Sequence, residues 1–160
     1  YTFLRTSEIR FAEWKEINLD TALWTIPSHR MKMDNEHLVP LAPQVIQLLQ
    51  EIQEYTGYSQ FLFPQAATPY KVMSENTMLY ALYRMGYRGQ ATIHGFRATA
   101  STILNEAGFQ PDAIERQLAH AESNQVRKAY NRAEYVTERK RMMLWWANYL
   151  DGLKKQSLDN

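Results

Sequence analysis

The sequence predicts an α+β fold, mostly α-helical, with a small three-stranded antiparallel sheet near the N-terminus. Three observations predict it. Short β-prone runs, "EINLD", "LWTIP" and "HLVPL", succeed one another before residue 42, with turn-forming residues between them. From Pro43 the apolar spacing changes to the three-and-four pattern of helices and keeps it to Leu153. The 160 residues are 45% hydrophobic and 12% aromatic, enough for one buried core and too apolar for disorder.

The opening "RTSEIRFAEW" places Ile9, Ala12 and Trp14 on one side of a short helix, with Thr6 or Ser7 as its N-cap. The three strands follow, and the last two are separated by a long basic loop, "SHRMKMDNE", that turns at Asp34–Asn35. Val45, Leu48, Leu49 and Ile52 define the next helix, opened by Pro43 and closed by Gly57. "GYSQFLFPQAATPYK" reads as a loop carrying an apolar plug, Phe61 to Phe63. Ser74 is the expected N-cap of a helix with Met78, Leu79, Leu82 and Met85 inward, stopped by Gly86.

A further helix carries Phe96, Ala100, Ile103 and Ala107 and ends at Gly108, and Pro111 opens another with Ile114 and Leu118 inward. Met142, Trp146, Tyr149 or Leu150, and Leu153 mark a final amphipathic helix. These elements make one domain over residues 1–153, with residues 154–160 a polar tail expected to fray.

Composition excludes some functions. Without cysteine, neither a disulfide framework nor a thiolate metal site can form. No run reaches the length of a membrane span and no leader pattern opens the chain, so no membrane partner and a cytoplasmic location are expected. The abrupt start at Tyr1 suggests a piece of a longer protein. A net charge of +1 does not by itself announce nucleic acid. Basic residues gather from Arg116 to Arg141, although Glu115, Glu122, Glu134 and Glu138 dilute them.

The stretch "IHGFRATAST" raises the functional question, because His94 and Arg97 stand near a helix start with small residues behind them. There is no His-x-x-x-His pairing, no Gly-x-Ser-x-Gly elbow and no phosphate-binding Gly-rich loop. What remains is a scattered set of cations: Arg5, Lys32, His94, Arg97 and His120. Arginine presents a planar fork that fits two oxygens of a phosphate, and a helix start already favours an anion. Taken alone, the pair is equally a surface and capping feature.

The order of motifs is more specific than any member. "FLRTSEI", "MKM", "HGFR", "QLAH" and "AY" follow one another along the chain. Together they resemble the catalytic domain of tyrosine recombinases, especially the integrases of prophages and integrative elements, over nearly the whole chain. The resemblance assigns Arg5 with Glu8, Lys32 between two strands, His94 and Arg97, His120, and Tyr130 as nucleophile. Two departures stand out: Ala119 replaces the family's usual Gly before the second histidine, and the spacing to Tyr130 is one residue longer than commonest. Tyr135 is the rival nucleophile, and Arg30 the rival for Lys32.

The implied reaction is attack of the Tyr130 phenol on a DNA phosphodiester, giving a 3′-phosphotyrosine and a free 5′ hydroxyl. Arg5, Arg97 and His120 would hold the phosphate, His94 would take the phenol proton, and Lys32 would protonate the leaving oxygen. Glu8, if buried beside the arginines, would orient them. No metal, ATP or other cofactor is implied. The implied partners are double-stranded DNA and further integrase protomers in a DNA-bound tetramer, with DNA-bending proteins and an excision factor as accessories.

Two other readings share the motifs: a DNA-binding domain without cleavage, and a type IB topoisomerase-like relaxation of DNA. Trp145 and Trp146 are expected to pack or dock rather than stack on bases. Whether the last helix packs on its own domain or on a neighbour stays open.

Overall fold

A computed structural model describes residues 1–32, 34–120 and 135–159. The three β-prone runs pair as expected: β1 (Ile17–Asn18), β2 (Leu23–Ile26) and β3 (His37–Pro40) form an antiparallel sheet in that order. Register sets Trp24 opposite both Ile17 and Val39. Trp24 and Ile26 are the buried positions of β2, as the period of two requires.

Ahead of the sheet, α1 (Thr6–Arg10) is capped by Arg5, not by Thr6 or Ser7. The carboxylate of Glu8 reaches back 2.7 Å to the Arg5 backbone N–H, so the acid three residues into the helix supplies the cap. Helix α2 (Pro43–Thr56) begins and ends at Pro43 and Gly57 as read, burying Val45 and Leu49.

The segment read as a loop after α2 contains a hairpin, β4 (Pro64–Gln65) and β5 (Thr68–Val72). None of its residues is buried, so no apolar alternation announced it. The plug is real: Leu62 is fully buried, and its N–H donates to the Ala12 carbonyl at 2.9 Å. Helix α3 (Thr77–Arg84) starts later than Ser74, whose hydroxyl instead accepts from the Asn76 N–H. Leu82 is its one buried residue among those described, and Met85 is exposed.

Helix α4 (Ile93–Glu106), α5 (Pro111–Gln117) and α6 (Tyr135–Leu158) complete the domain. On α4 the buried face is Arg97, Ala100 and Leu104, while Phe96 and Ala107 are exposed. The helical phase thus turns an arginine inward where the apolar pattern nominated Phe96. The polar run after Leu153, expected to fray, continues α6 to Leu158 with every residue exposed, and Leu153 is exposed as well.

Two apolar clusters hold these elements. One joins the sheet and α2 through Trp24, Ile26, Val39, Val45, Leu49 and Leu62. The other joins α4, α5 and α6 through Ala100, Leu104, Ile114, Leu118, Met142 and Trp146. Ala147 lies in the first cluster and Met142, Met143 and Trp146 in the second, so α6 packs on its own domain and bolts the two halves together. Trp146 is buried against Phe3 at 5.4 Å and Trp145 packs between Phe109 and Tyr149, as expected of packing residues.

Candidate active site

The site is built on the turn that ends α5. Arg5, from the segment before α1, donates to the Ala119 carbonyl at 3.0 Å and to Glu8 at 2.7 Å. Arg97, from α4, donates to the neighbouring Leu118 carbonyl at 2.8 Å and also to the Phe3 carbonyl. Two arginines far apart in sequence are therefore seated on successive carbonyls of one turn. His120 is the next residue, and its Nδ1 lies 2.6 Å from the Glu115 carboxylate.

The turn needs an unusual backbone. Ala119 has φ of 50°, in the left-handed region that glycine enters without steric cost. That conformation lets the chain reverse after α5, so that the His120 N–H bonds the Glu115 carbonyl at 3.0 Å. The geometry gives a physical reason why glycine suits this position.

The position of Arg97 depends on how α4 starts. Thr92 caps the helix by accepting from the Gly95 N–H at 2.9 Å. A Cβ on Gly95 would sit 3.0 Å from that same hydroxyl, so glycine leaves the cap its room. Three residues into the helix from His94, Arg97 turns inward and is 7% exposed. Burial, and then the charge of Arg5, lower its guanidinium from the ordinary value, while Glu8 opposes them. Glu8, 3% exposed, provides the carboxylate bonded to Arg5, and among the described residues no carboxylate bonds Arg97.

His94 and Lys32 are exposed, and no hydrogen bond from either side chain to a described residue is present. His94 shares α4 with Arg97, one turn away. Lys32 follows the short 3-10 turn Ser28–Arg30 before β3. Arg30, the rival for its role, is closed off: it bonds Glu16 and the Glu8 carbonyl. Tyr130 lies outside the described residues. Tyr135 opens α6, half-buried, with its hydroxyl donating to Asp112 at 3.0 Å.

Sequence reasoning missed a buried polar layer behind this turn. Gln117 is fully buried; its amide oxygen accepts two bonds from Arg139, at 2.9 and 2.8 Å, and its NH2 group donates to the Thr2 carbonyl at 3.1 Å. Arg139 also bonds the Leu38 carbonyl. Burial, and then the charge of Arg116, lower the Arg139 guanidinium to about 10. His37, at the start of β3, is held neutral: burial and then Arg139 lower it to about 3, against an opposing hydrogen bond to the Gln117 backbone. The only signal in the sequence was polar residues within apolar runs, which surface positions also produce.

A mostly helical domain with a small antiparallel sheet carries two arginines that converge on one turn, and these features define an α+β domain with a cationic turn. Its relatives make the class specific. The family model described as the phage integrase family matches residues 1–136. The chain is 46% identical to the integrase of Enterobacteria phage P4, covering 94% of this chain and 38% of that protein. It is 41% identical to the prophage integrase IntA of Escherichia coli strain K12, covering 98% and 38%. The fold is similar to the crystal structure of XerA recombinase, with a TM-score of 0.62 at 16% identity over 86% of this chain and 52% of that one. It is also similar to the Tn1549 transposon integrase in complex with circular intermediate DNA, with a TM-score of 0.54 at 20% identity over 88% and 53%.

The chain belongs to the phage integrase family. It spans 38% of the length of each of those two curated relatives.

Proposed function

We propose that this domain carries out site-specific DNA recombination, cleaving and rejoining strands through a 3′-phosphotyrosine intermediate in the integration or excision of a genetic element. The observation that carries this reading is the pair Arg5 and Arg97 on successive carbonyls of the turn before His120. Each guanidinium has five N–H donors, and these bonds leave some of them for the oxygens of a phosphate.

In the proposed reaction the Tyr130 oxygen attacks phosphorus, and the bond from phosphorus to the 5′ oxygen breaks. The phenol proton passes to His94, which stands exposed beside the arginine it precedes by one turn. Lys32 gives a proton to the departing 5′ oxygen. Arg5, Arg97 and His120 neutralise the non-bridging oxygens as charge builds on them. The phosphotyrosine bond conserves the energy of the diester, so rejoining the strands needs no ATP. The half-buried, hydrogen-bonded hydroxyl of Tyr135 favours Tyr130 as nucleophile.

Double-stranded DNA and further protomers of the same protein are the proposed partners, in an assembly that brings two sites together. The test is to mix the full-length protein with a library of nicked DNA whose cut end cannot be religated, in EDTA, and run a denaturing gel. A covalent protein–DNA band is expected. DNA retained on a native gel with no covalent band would overturn the catalytic reading in favour of binding alone.

A further inference from the structure

Buried charges in proteins are ordinarily met by an opposite charge, because an unpaired ion in the interior costs several kcal/mol. Arg139 breaks that habit. It is 3% exposed, and its partners are an amide oxygen and a backbone carbonyl, with no carboxylate among the described residues. Its location suggests why the chain keeps it.

Gln117, the residue it grips, directly precedes Leu118 and Ala119, whose carbonyls seat Arg97 and Arg5. The same Gln117 side chain holds the Thr2 carbonyl, beside the Phe3 carbonyl that takes the other end of Arg97. Arg139 then fixes Gln117 to β3 through Leu38 and to α6 through its own helix. An apolar pair could fill this space, but it could not fix the rotation of the α5 end about its axis. Three directional bonds from one planar guanidinium can.

We infer that Arg139 and Gln117 are positioning residues: a buried strut that sets the turn on which the two clamp arginines rest. This rests on the phosphate-clamp reading above. A carbonyl displaced by a fraction of an ångström moves the guanidinium bonded to it, and small misplacements of catalytic groups are costly in rate. The strut acts on the rate of the chemical step more than on DNA affinity, which many backbone contacts share.

The test uses the full-length protein and the same nicked DNA library, comparing wild type with Arg139→Lys, Gln117→Met, the two combined, and Arg97→Lys. Thermal unfolding identifies the variants that are folded at the assay temperature. Adduct formation is followed in single turnover over a range of DNA concentrations. Arg139→Lys keeps the charge but cannot make all three bonds to the Gln117 amide oxygen and the Leu38 carbonyl, and Gln117→Met keeps the volume. In the folded variants the saturating rate is expected to fall roughly 10- to 100-fold with the half-saturating DNA concentration unchanged. The double variant is expected to be no slower than the worse single one, since both break one strut.

Saturating rates equal to wild type in either folded single variant would overturn the proposal, as would a defect confined to the half-saturating concentration. Arg97→Lys distinguishes failure of the strut from failure of the phosphate clamp. If it too reacts at the wild-type rate, the clamp reading fails; if it is slow while the strut variants are not, only the strut fails.

Discussion

Arg30 and Arg97 both tuck a guanidinium into the protein, on the two halves of the domain, and they are held by different means. In the sheet half, Arg30 meets the buried carboxylate of Glu16, which also accepts from the Trp24 indole at 3.0 Å. That pair is neutral and closed. In the helical half, among the described residues, Arg97 meets only carbonyls, and Arg139 only a carbonyl and an amide. Carbonyl dipoles fix the direction of a guanidinium without cancelling its charge. The sheet half closes its arginine in an ion pair; the helical half holds Arg97 on carbonyls, which suits the proposed role in holding a phosphate.

The largest difference should appear in activity. Arg97→Ala is expected to lower the rate of covalent DNA adduct formation roughly 100- to 1000-fold, the usual cost of losing one preorganised donor to a phosphate or oxyanion. Arg30→Met, measured in the same assay, should keep most of the wild-type rate per folded molecule. Equal losses at the two positions would erase the distinction.

In stability the order reverses. Glu16→Ala strips Arg30 and Trp24 of their shared acceptor and should cost about 3 kcal/mol in denaturant unfolding. A cost below about 1 kcal/mol would mean that Arg30 finds water or another acceptor and the pair is not closed.

His37, on β3, offers a pH-dependent test of the buried polar layer behind the α5 turn. Its folded value of about 3 lies below the ordinary 6.5, so the unfolded chain takes up the proton first as pH falls. Its contribution to stability is therefore complete above pH 6.5 and is lost towards pH 3, at about 1.4 kcal/mol per pH unit. His37→Gln should flatten that part of the acid-unfolding profile, with unfolding at pH 7 and pH 4.5 as the comparison. An unchanged slope would show that the imidazole titrates normally.

The smallest effect is local. Ala119→Gly should stabilise the chain by about 1 kcal/mol, because glycine adopts the left-handed turn without a Cβ clash. A loss of stability would mean that the alanine methyl makes contacts worth more than the strain.

Much of this arrangement could be read before any coordinates. The sheet, α2 and α5 announced themselves through period, Pro43, Gly57 and Pro111, which are local signals. The motif order picked out Arg5, Arg97 and His120, and the fold seats the two arginines on the turn that leads into His120. The β4–β5 hairpin was illegible because it buries no residue and so carries no alternation. Phe96, read as inward, is exposed: helical spacing fixes which residues share a face but not which face turns inward, and bonds to the Phe3 and Leu118 carbonyls hold Arg97 there instead. Gln117, Arg139 and His37 were invisible for a related reason, since their burial depends on partners more than 20 residues away.

Arg5 and Arg97 are proposed to hold the phosphate that Tyr130 attacks. The most direct measurement is covalent adduct formation on nicked DNA by the wild-type protein, Tyr130→Phe and Tyr135→Phe, with the DNA-linked peptide identified after proteolysis. The account predicts an adduct in wild type and Tyr135→Phe, none in Tyr130→Phe, and a DNA-bearing peptide that contains Tyr130. An adduct that survives in Tyr130→Phe and disappears in Tyr135→Phe would contradict it.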